Sequence, residues 1–139
     1  MTYPDAVDAT RVGSYPAHAF AGGGYVWDEV LEYRVWCSPS LDAKDVADYF
    51  YAFATFAEAE AAVNELPDAE RPVALVLQRE YIDESEDGGY RHVKQERVTE
   101  WPVEFLTRPR RDERTIPDFL APDSPANRLE ILRGQALRP

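Results

Sequence analysis

The chain is poor in cysteine and has no long apolar run. Its 139 residues include one cysteine, Cys37, so no disulfide can form within the chain and nothing requires an oxidising compartment. No stretch approaches the roughly 20 apolar residues that a membrane-spanning helix needs. Asp5 and Asp8 stand near the N-terminus, where a secretory signal would carry basic and then apolar residues. These absences favour a cytoplasmic protein.

Positive charge is also scarce. The chain has 26 acidic and 15 basic residues, which gives a formal net charge of -11. Such a surface repels phosphate backbones and anionic lipid, so we expect neither nucleic acid nor a membrane as a partner. Hydrophobic residues make up 45% of the chain and aromatic residues 12%, a composition that can fill a core.

The first half of the chain has the patterns of two strands and a helix. Residues 27–37 alternate between the two faces of a strand, and the aromatic run 49–53 follows as a second strand. Residues 38–48 are predicted to be a loop with a possible helical turn. Thr55 and Glu58 have the spacing of a capping box, which predicts that a helix begins there and ends at Pro67.

The second half begins with a predicted hairpin. Residues 73–77 are apolar on both faces, as is typical of a central strand, and Asp87-Gly88 is a two-residue turn signal. A fourth strand then runs to about Trp101. The register places Glu84 opposite Arg91, Ile82 opposite Val93, Arg79 opposite Glu96 and Leu77 opposite Val98. Gly89 is able to shift this register by one residue, which exchanges the two faces.

These elements predict an α+β protein with one domain. The order β-β-α-β-β-α implies a mainly antiparallel four-stranded sheet with one central helix and a short C-terminal helix. The core spans residues 25–101, after a flexible N-terminal arm at 1–24. Residues 102–139 form a proline- and arginine-rich arm, packed on the core or on a partner, with a helix at 125–133 that ends at Gly134.

Three motifs suggest specific chemistry, but simpler interpretations are favoured. Residues 83–88 match the start of a calcium loop, yet Lys94 occupies the place of its bidentate glutamate, so we expect no metal. The run Gly22-Gly23-Gly24 precedes a strand and not the helix that a phosphate cradle needs, which favours a flexible connection. Nothing in the sequence places a histidine beside Cys37, so we expect a small core cysteine.

Arginines and aromatic residues are the candidate binding residues. The arm contains a basic run suited to an acidic partner or to the protein's own acidic face, although a solvated turn with local ion pairs is a simpler interpretation. Aromatic residues and arginines on the strands are able to line a pocket for an anion, but such aromatics are more often core. The candidates are Arg34, Tyr51, Arg79, Tyr81, Arg97, Trp101, Arg108, Arg110, Arg111 and Phe119.

Segments 25–36, 74–83 and 116–123 resemble short bacterial proteins labelled as relatives of the GNAT acetyltransferases. The resemblance spans about residues 20–135 and implies an N-acetyltransferase that uses acetyl-CoA. Enzymes of that family hold the acetyl-CoA pyrophosphate in a [Q/R]-x-x-G-x-[G/A] loop that leads into a helix. No stretch here has that spacing, since residues 80–82 offer no glycine after Gln78 and Arg79. The resemblance therefore assigns no catalytic residue.

Three functions follow as hypotheses. Because no complete catalytic constellation is present, the first is a non-catalytic protein-interaction or regulatory module that self-associates or binds a partner protein, without a cofactor. The second is an acetyltransferase dependent on acetyl-CoA, which rests on the resemblance. The third is a small-ligand-binding domain that uses the arginines and aromatic residues of the strands.

Overall fold

The computed structural model describes residues 2–39 and 47–137. Within these residues the chain forms seven strands and three α-helices, so the predicted α+β class is confirmed. The strands are β1 (Phe20–Ala21), β2 (Glu29–Cys37), β3 (Tyr49–Phe53), β4 (Val73–Gln78), β5 (Tyr81–Glu84), β6 (Tyr90–Val93) and β7 (Arg97–Pro102). The helices are α1 (Phe56–Val63), α2 (Thr115–Leu120) and α3 (Arg128–Leu132), with 3-10 turns at Ala9–Arg11 and Val103–Thr107. In this described part of the chain, no helix has the length and apolarity needed to cross a bilayer.

The main sheet is mixed and has five strands. Its order is β1-β7-β4-β2-β3, in which β1 runs parallel to β7 and the other neighbours are antiparallel. Strands β5 and β6 form a separate antiparallel pair. The predicted four-stranded antiparallel sheet is therefore corrected in two respects. A short parallel strand is added at one edge, and the long hairpin is divided between two sheets.

The hairpin is divided between two sheets because backbone N–H groups at the division hydrogen-bond to other parts of the chain. Leu77 pairs with Val98 as predicted, but Asp83 pairs with Arg91, one residue away from the predicted register. Two residues on one side (79–80) face three on the other (94–96), and this bulge produces the shift. The backbone N–H of Arg79 donates to the Asp28 carboxylate at 2.7 Å, while that of Ile82 donates to Gly24 at 3.0 Å.

Thr55 caps α1 as predicted, although the Glu58 carboxylate contacts the Thr55 hydroxyl and not its backbone N–H. The Thr55 side chain accepts a hydrogen bond from the Glu58 backbone N–H at 3.1 Å and lies 2.9 Å from the Glu58 carboxylate. Helix α1 starts at Phe56 and buries Ala59 against the sheet. The helical turn proposed for 38–48 falls mainly on residues 40–46, outside the described residues.

The arm after β7 contributes to both apolar clusters of the protein. Val103 and Leu106 belong to the cluster around the main sheet, while Ile116 and Phe119 pack with Ile82 beside the small sheet. These apolar side chains of the arm are thus covered by the chain itself.

Helix α3 is shorter than predicted and stops where predicted. It begins at Arg128 because residues 125–127 form a turn and not the first turn of the helix. Gly134 has a φ of 75°, and the Gln135 N–H donates to the Glu130 carbonyl at 2.7 Å. This left-handed glycine with its long return bond is a Schellman motif, which fixes the end of the helix.

A buried ion network holds the N-terminal arm across the sheet. Arg34 and Glu32 are both fully buried, with their charged atoms 2.7 Å apart. Arg34 also contacts Glu100 at 3.0 Å and donates to the carbonyls of residues 16 and 17, while the Gly13 N–H donates to Glu32 at 2.8 Å. The face of β2 that carries Glu32 and Arg34 is therefore buried beneath residues 13–17.

The substitution Arg34→Met is expected to destabilise the protein by about 3–5 kcal/mol. It leaves the buried Glu32 carboxylate without its cation, and an unpaired buried charge is costly. The free energy of unfolding would be measured by urea denaturation followed by tryptophan fluorescence.

Arg91→Met is the matched control, because it breaks an exposed pair with Asp83 at 3.2 Å. It should cost less than about 1 kcal/mol. Similar losses in the two variants would contradict a structural role for the buried pair.

Candidate functional site

A cavity of about 470 Å³ lies where the glycine run, the start of β7 and the C-terminal segments meet. Three arginines, Arg97, Arg108 and Arg133, line it together with residues 22–24, and we call it the arginine cavity. Three aromatic residues, Tyr25, Trp101 and Phe105, also line it. Its volume falls within the range of small-molecule sites.

The glycine run forms one wall of the arginine cavity. Gly22, Gly23 and Gly24 have φ values of 76°, 81° and 82°, a left-handed conformation that glycine adopts without a steric penalty. The Gly23 carbonyl accepts hydrogen bonds from Gln78 and Trp101, both at 3.0 Å. A Cβ atom on Gly24 would lie 2.3 Å from the Gln78 amide nitrogen. The run was expected to be a flexible connection, but it is a hydrogen-bonded part of the site.

Tyr25 continues the left-handed conformation with a φ of 68°. A non-glycine residue in this region costs of order 1–3 kcal/mol, and such strain clusters at functional sites. Its hydroxyl donates to Glu84 at 2.5 Å. Burial and this hydrogen bond raise the pKa of Tyr25 to about 12. The bonds from Tyr25 and from the Gly88 N–H lower the pKa of Glu84, so near neutral pH the phenol is neutral and the carboxylate charged.

Arg97 is fixed between two aromatic rings. Its guanidinium lies 4.0 Å from the ring centre of Tyr81 and 4.7 Å from that of Phe20. Its Nε atom donates to the Gln78 side-chain oxygen at 2.7 Å. Gln78 therefore positions Arg97 and, through its amide nitrogen, the glycine run. This arrangement leaves one terminal nitrogen of Arg97 beside Gly23, 3.3 Å from where a Cβ atom would lie.

The Arg108 guanidinium packs against two aromatic rings. Its guanidinium lies 4.2 Å from the ring centre of Phe105 and 5.2 Å from that of Trp101. One terminal nitrogen donates to the Tyr25 carbonyl at 3.2 Å. Burial and the positive charge of Arg133 lower the pKa of Arg108. The two cations thus lie close enough to repel each other.

Arg133 lines the arginine cavity and has one unsatisfied donor. Its Nε atom is buried and has no hydrogen-bond partner within the described residues. In the same part of the chain, none of the three arginines of the cavity has a carboxylate within 4 Å. Buried polar groups in folded proteins usually have partners, so this group of cations is suited to an external acceptor.

The structure brings together four of the ten predicted site residues. Arg97, Trp101 and Arg108 line the arginine cavity, and Tyr81 packs behind Arg97. Tyr51 lies on the exposed edge strand β3 with its ring near that of Tyr49, away from this cavity. Arg34 is buried in the ion network described above and is not available to a ligand.

Three further candidates bind the chain's own carboxylates. Arg111 contacts the buried Asp28 at 2.8 Å and Glu80 at 3.0 Å. Arg79 lies 3.7 Å from the same Asp28, and Arg110 contacts Glu29 at 3.1 Å. The basic run suited either an acidic partner or the protein's own acidic face. Arg110 and Arg111 contact the protein's own carboxylates.

Phe119 lines a second cavity of about 340 Å³ beside α2 and α3. Arg128 packs over the Phe119 ring and donates to the Phe119 carbonyl at 2.9 Å. The Ser124 hydroxyl in this cavity is buried and has no partner in the described chain. The second cavity is smaller, and its described lining combines Arg114 and Arg128 with Asp112 and Asp118.

The motifs considered for metal binding and nucleophilic catalysis have structural roles. Across residues 2–39 and 47–137, no group of three or more His, Cys, Asp or Glu side chains is placed to hold a metal ion. Asp83 pairs with Arg91, and Glu84 accepts from Tyr25 and the Gly88 N–H. Cys37 is fully buried at the end of β2.

Sequence analysis missed Arg133 and misjudged the glycine run. Arg133 lies just before the glycine that ends α3, a position with no motif to mark it as functional. The three consecutive glycines are the signal in the sequence, because they permit a left-handed conformation. Comparison of the chain with protein-family models, curated proteins and solved structures finds no significant match, so the geometry alone carries the functional argument.

The glycine wall can be tested by comparing Gly24→Ala with Gly22→Ala. Both positions have positive φ, so each substitution should cost about 1–2 kcal/mol. Gly22 has open space around it, whereas a Cβ on Gly24 meets Gln78, which should add roughly 1–3 kcal/mol. Urea denaturation measures the free energy of unfolding of each variant. Equal losses would show that the Gln78 side chain moves aside without destabilising the protein.

Proposed function

We propose that the protein is a non-catalytic binding module whose ligand is a small anion held in the arginine cavity. The observation that carries this proposal is the group of three guanidiniums without an ion-pair partner within the described residues. The chain has 26 acidic residues and a net charge of -11, so carboxylates are abundant elsewhere on the molecule.

The environment of these cations favours an anionic ligand. Arg108 is half-buried against aromatic rings, where electrostatic interactions are stronger than in water. Hydrogen bonds from guanidinium groups to carboxylate or phosphate oxygens are charge-assisted and often bidentate. Arg97 uses only its Nε atom and Arg108 only one terminal nitrogen in hydrogen bonds within the described residues, so their other N–H groups are able to form such bonds with a ligand.

This proposal develops the ligand-binding hypothesis and is compatible with a regulatory role. The apolar side chains of the arm, which had favoured a partner protein, pack inside the described chain. The glycine run leads through residues 25–28 into β2 and not into a helix, so an activity dependent on acetyl-CoA gains no support from this cavity.

We expect Arg133→Gln to weaken anion binding at least about tenfold, because a charge-assisted hydrogen bond contributes roughly 1.5–3 kcal/mol. The probes are inorganic phosphate, sulfate and benzoate, at a fixed ionic strength that keeps screening constant. Binding is measured by titration calorimetry and by the shift in melting temperature.

Arg71→Gln is the control, because it removes the same charge from an exposed side chain that pairs with Glu104 outside the cavity. Its affinities should stay within twofold of the unaltered protein. The proposal fails if none of the three anions binds, or if the two variants lose affinity equally.

A further inference from the structure

We infer that the arginine cavity selects a phosphomonoester dianion attached to a flat apolar body, in preference to monoanions. This inference rests on the proposed anion-binding function and deepens it by naming the ligand class. It is carried by the charges, the donor atoms and the apolar lining of the cavity.

The charge balance of the cavity points to a ligand with two negative charges. Asp83 and Glu84 are the acidic residues that line it, against three arginines. Asp83 is paired with Arg91, which does not line the cavity, at 3.2 Å. One carboxylate, Glu84, is then left to offset three guanidiniums, which leaves an excess of two positive charges.

The free donors favour an acceptor with several oxygens. Arg97 and Arg108 each approach the cavity with a guanidinium already anchored by one hydrogen bond, to Gln78 and to the Tyr25 carbonyl. Arg133 adds a third guanidinium to the lining. A phosphomonoester presents three strong acceptor oxygens and close to two charges near neutral pH, whereas a carboxylate presents two oxygens and one charge.

The rest of the cavity favours an apolar, flat body. Tyr25 and Phe105 line it and are partly exposed, and the glycine wall has no side chains. A volume of about 470 Å³ is much larger than a phosphate group alone requires. Phe105 already stacks with the Arg108 guanidinium at 4.2 Å, an arrangement that a second flat group can extend.

The test compares phenyl phosphate with phenyl sulfate, which carry the same ring and differ in charge. At pH 7.5 calorimetry should show phenyl phosphate binding at least tenfold more tightly. Between pH 7.5 and pH 5.0 its affinity should fall about tenfold, because the second pKa of a phosphomonoester is near 6 and the dianion becomes a minor species.

Phenyl sulfate keeps one negative charge over this range, so its affinity should stay constant. It also reports any effect of pH on the protein itself. Within the cavity, the lowered pKa keeps Glu84 charged, the pKa of about 12 keeps Tyr25 neutral, and the arginines remain charged. Asp83, which also lines the cavity, is paired with Arg91.

Each outcome distinguishes the two proposals. Equal affinities for the two compounds would overturn the dianion inference and leave anion binding intact. Binding of neither compound would overturn this inference, and the proposed function would also fail if inorganic phosphate, sulfate and benzoate did not bind either. If inorganic phosphate binds as tightly as phenyl phosphate, the inference that the ligand carries an apolar body is overturned.

Variants provide an independent measure of the preference for phosphate. Arg108→Gln and Arg133→Gln should each reduce the ratio of phosphate to sulfate affinity severalfold, whereas Arg71→Gln should leave it unchanged. Circular dichroism checks that each variant is folded. If an arginine variant does not fold, the two titrations of the unaltered protein still decide the question.

Discussion

The ion pair between Asp28 and Arg111 determines where the last third of the chain lies. Asp28 is almost completely buried, and a buried carboxylate needs both a cation and hydrogen bonds. Arg111 contributes the cation, its backbone N–H binds the Trp27 carbonyl at 3.0 Å, and the Arg79 N–H completes the arrangement. The same carboxylate therefore docks the arm, interrupts the hairpin and brings Arg108 beside the glycine run.

The local parts of this fold could be predicted from the sequence. Alternation identified β2, the aromatic run identified β3, and the Thr55–Glu58 spacing identified the start of α1, because each depends on neighbours in the chain. The division of the hairpin could not be predicted, since it depends on Asp28, some fifty residues away from Arg79. Likewise, the burial of the β2 face that carries Glu32 and Arg34 could not be predicted, because it depends on coverage by residues 13–17.

The candidate site shows the same limit. Composition could nominate Arg97, Trp101 and Arg108, because arginines and aromatic residues suit anion binding wherever they occur. It could not separate them from Arg34 and Arg111, which have identical chemistry and are neutralised by buried carboxylates. The distinction between a structural and a functional arginine here depends on whether a carboxylate is near, which is a property of the tertiary structure.

The contrast between the cationic cavity and the acidic molecule has a kinetic consequence. An anion approaching from solution meets the field of a protein with a net charge of -11, and it experiences the arginines only at short range. Salt at physiological strength screens charges beyond about 8 Å and affects buried contacts much less. Added salt should therefore ease the encounter and change the bound state much less, so that discrimination among anions depends on residence time and not on the rate of arrival.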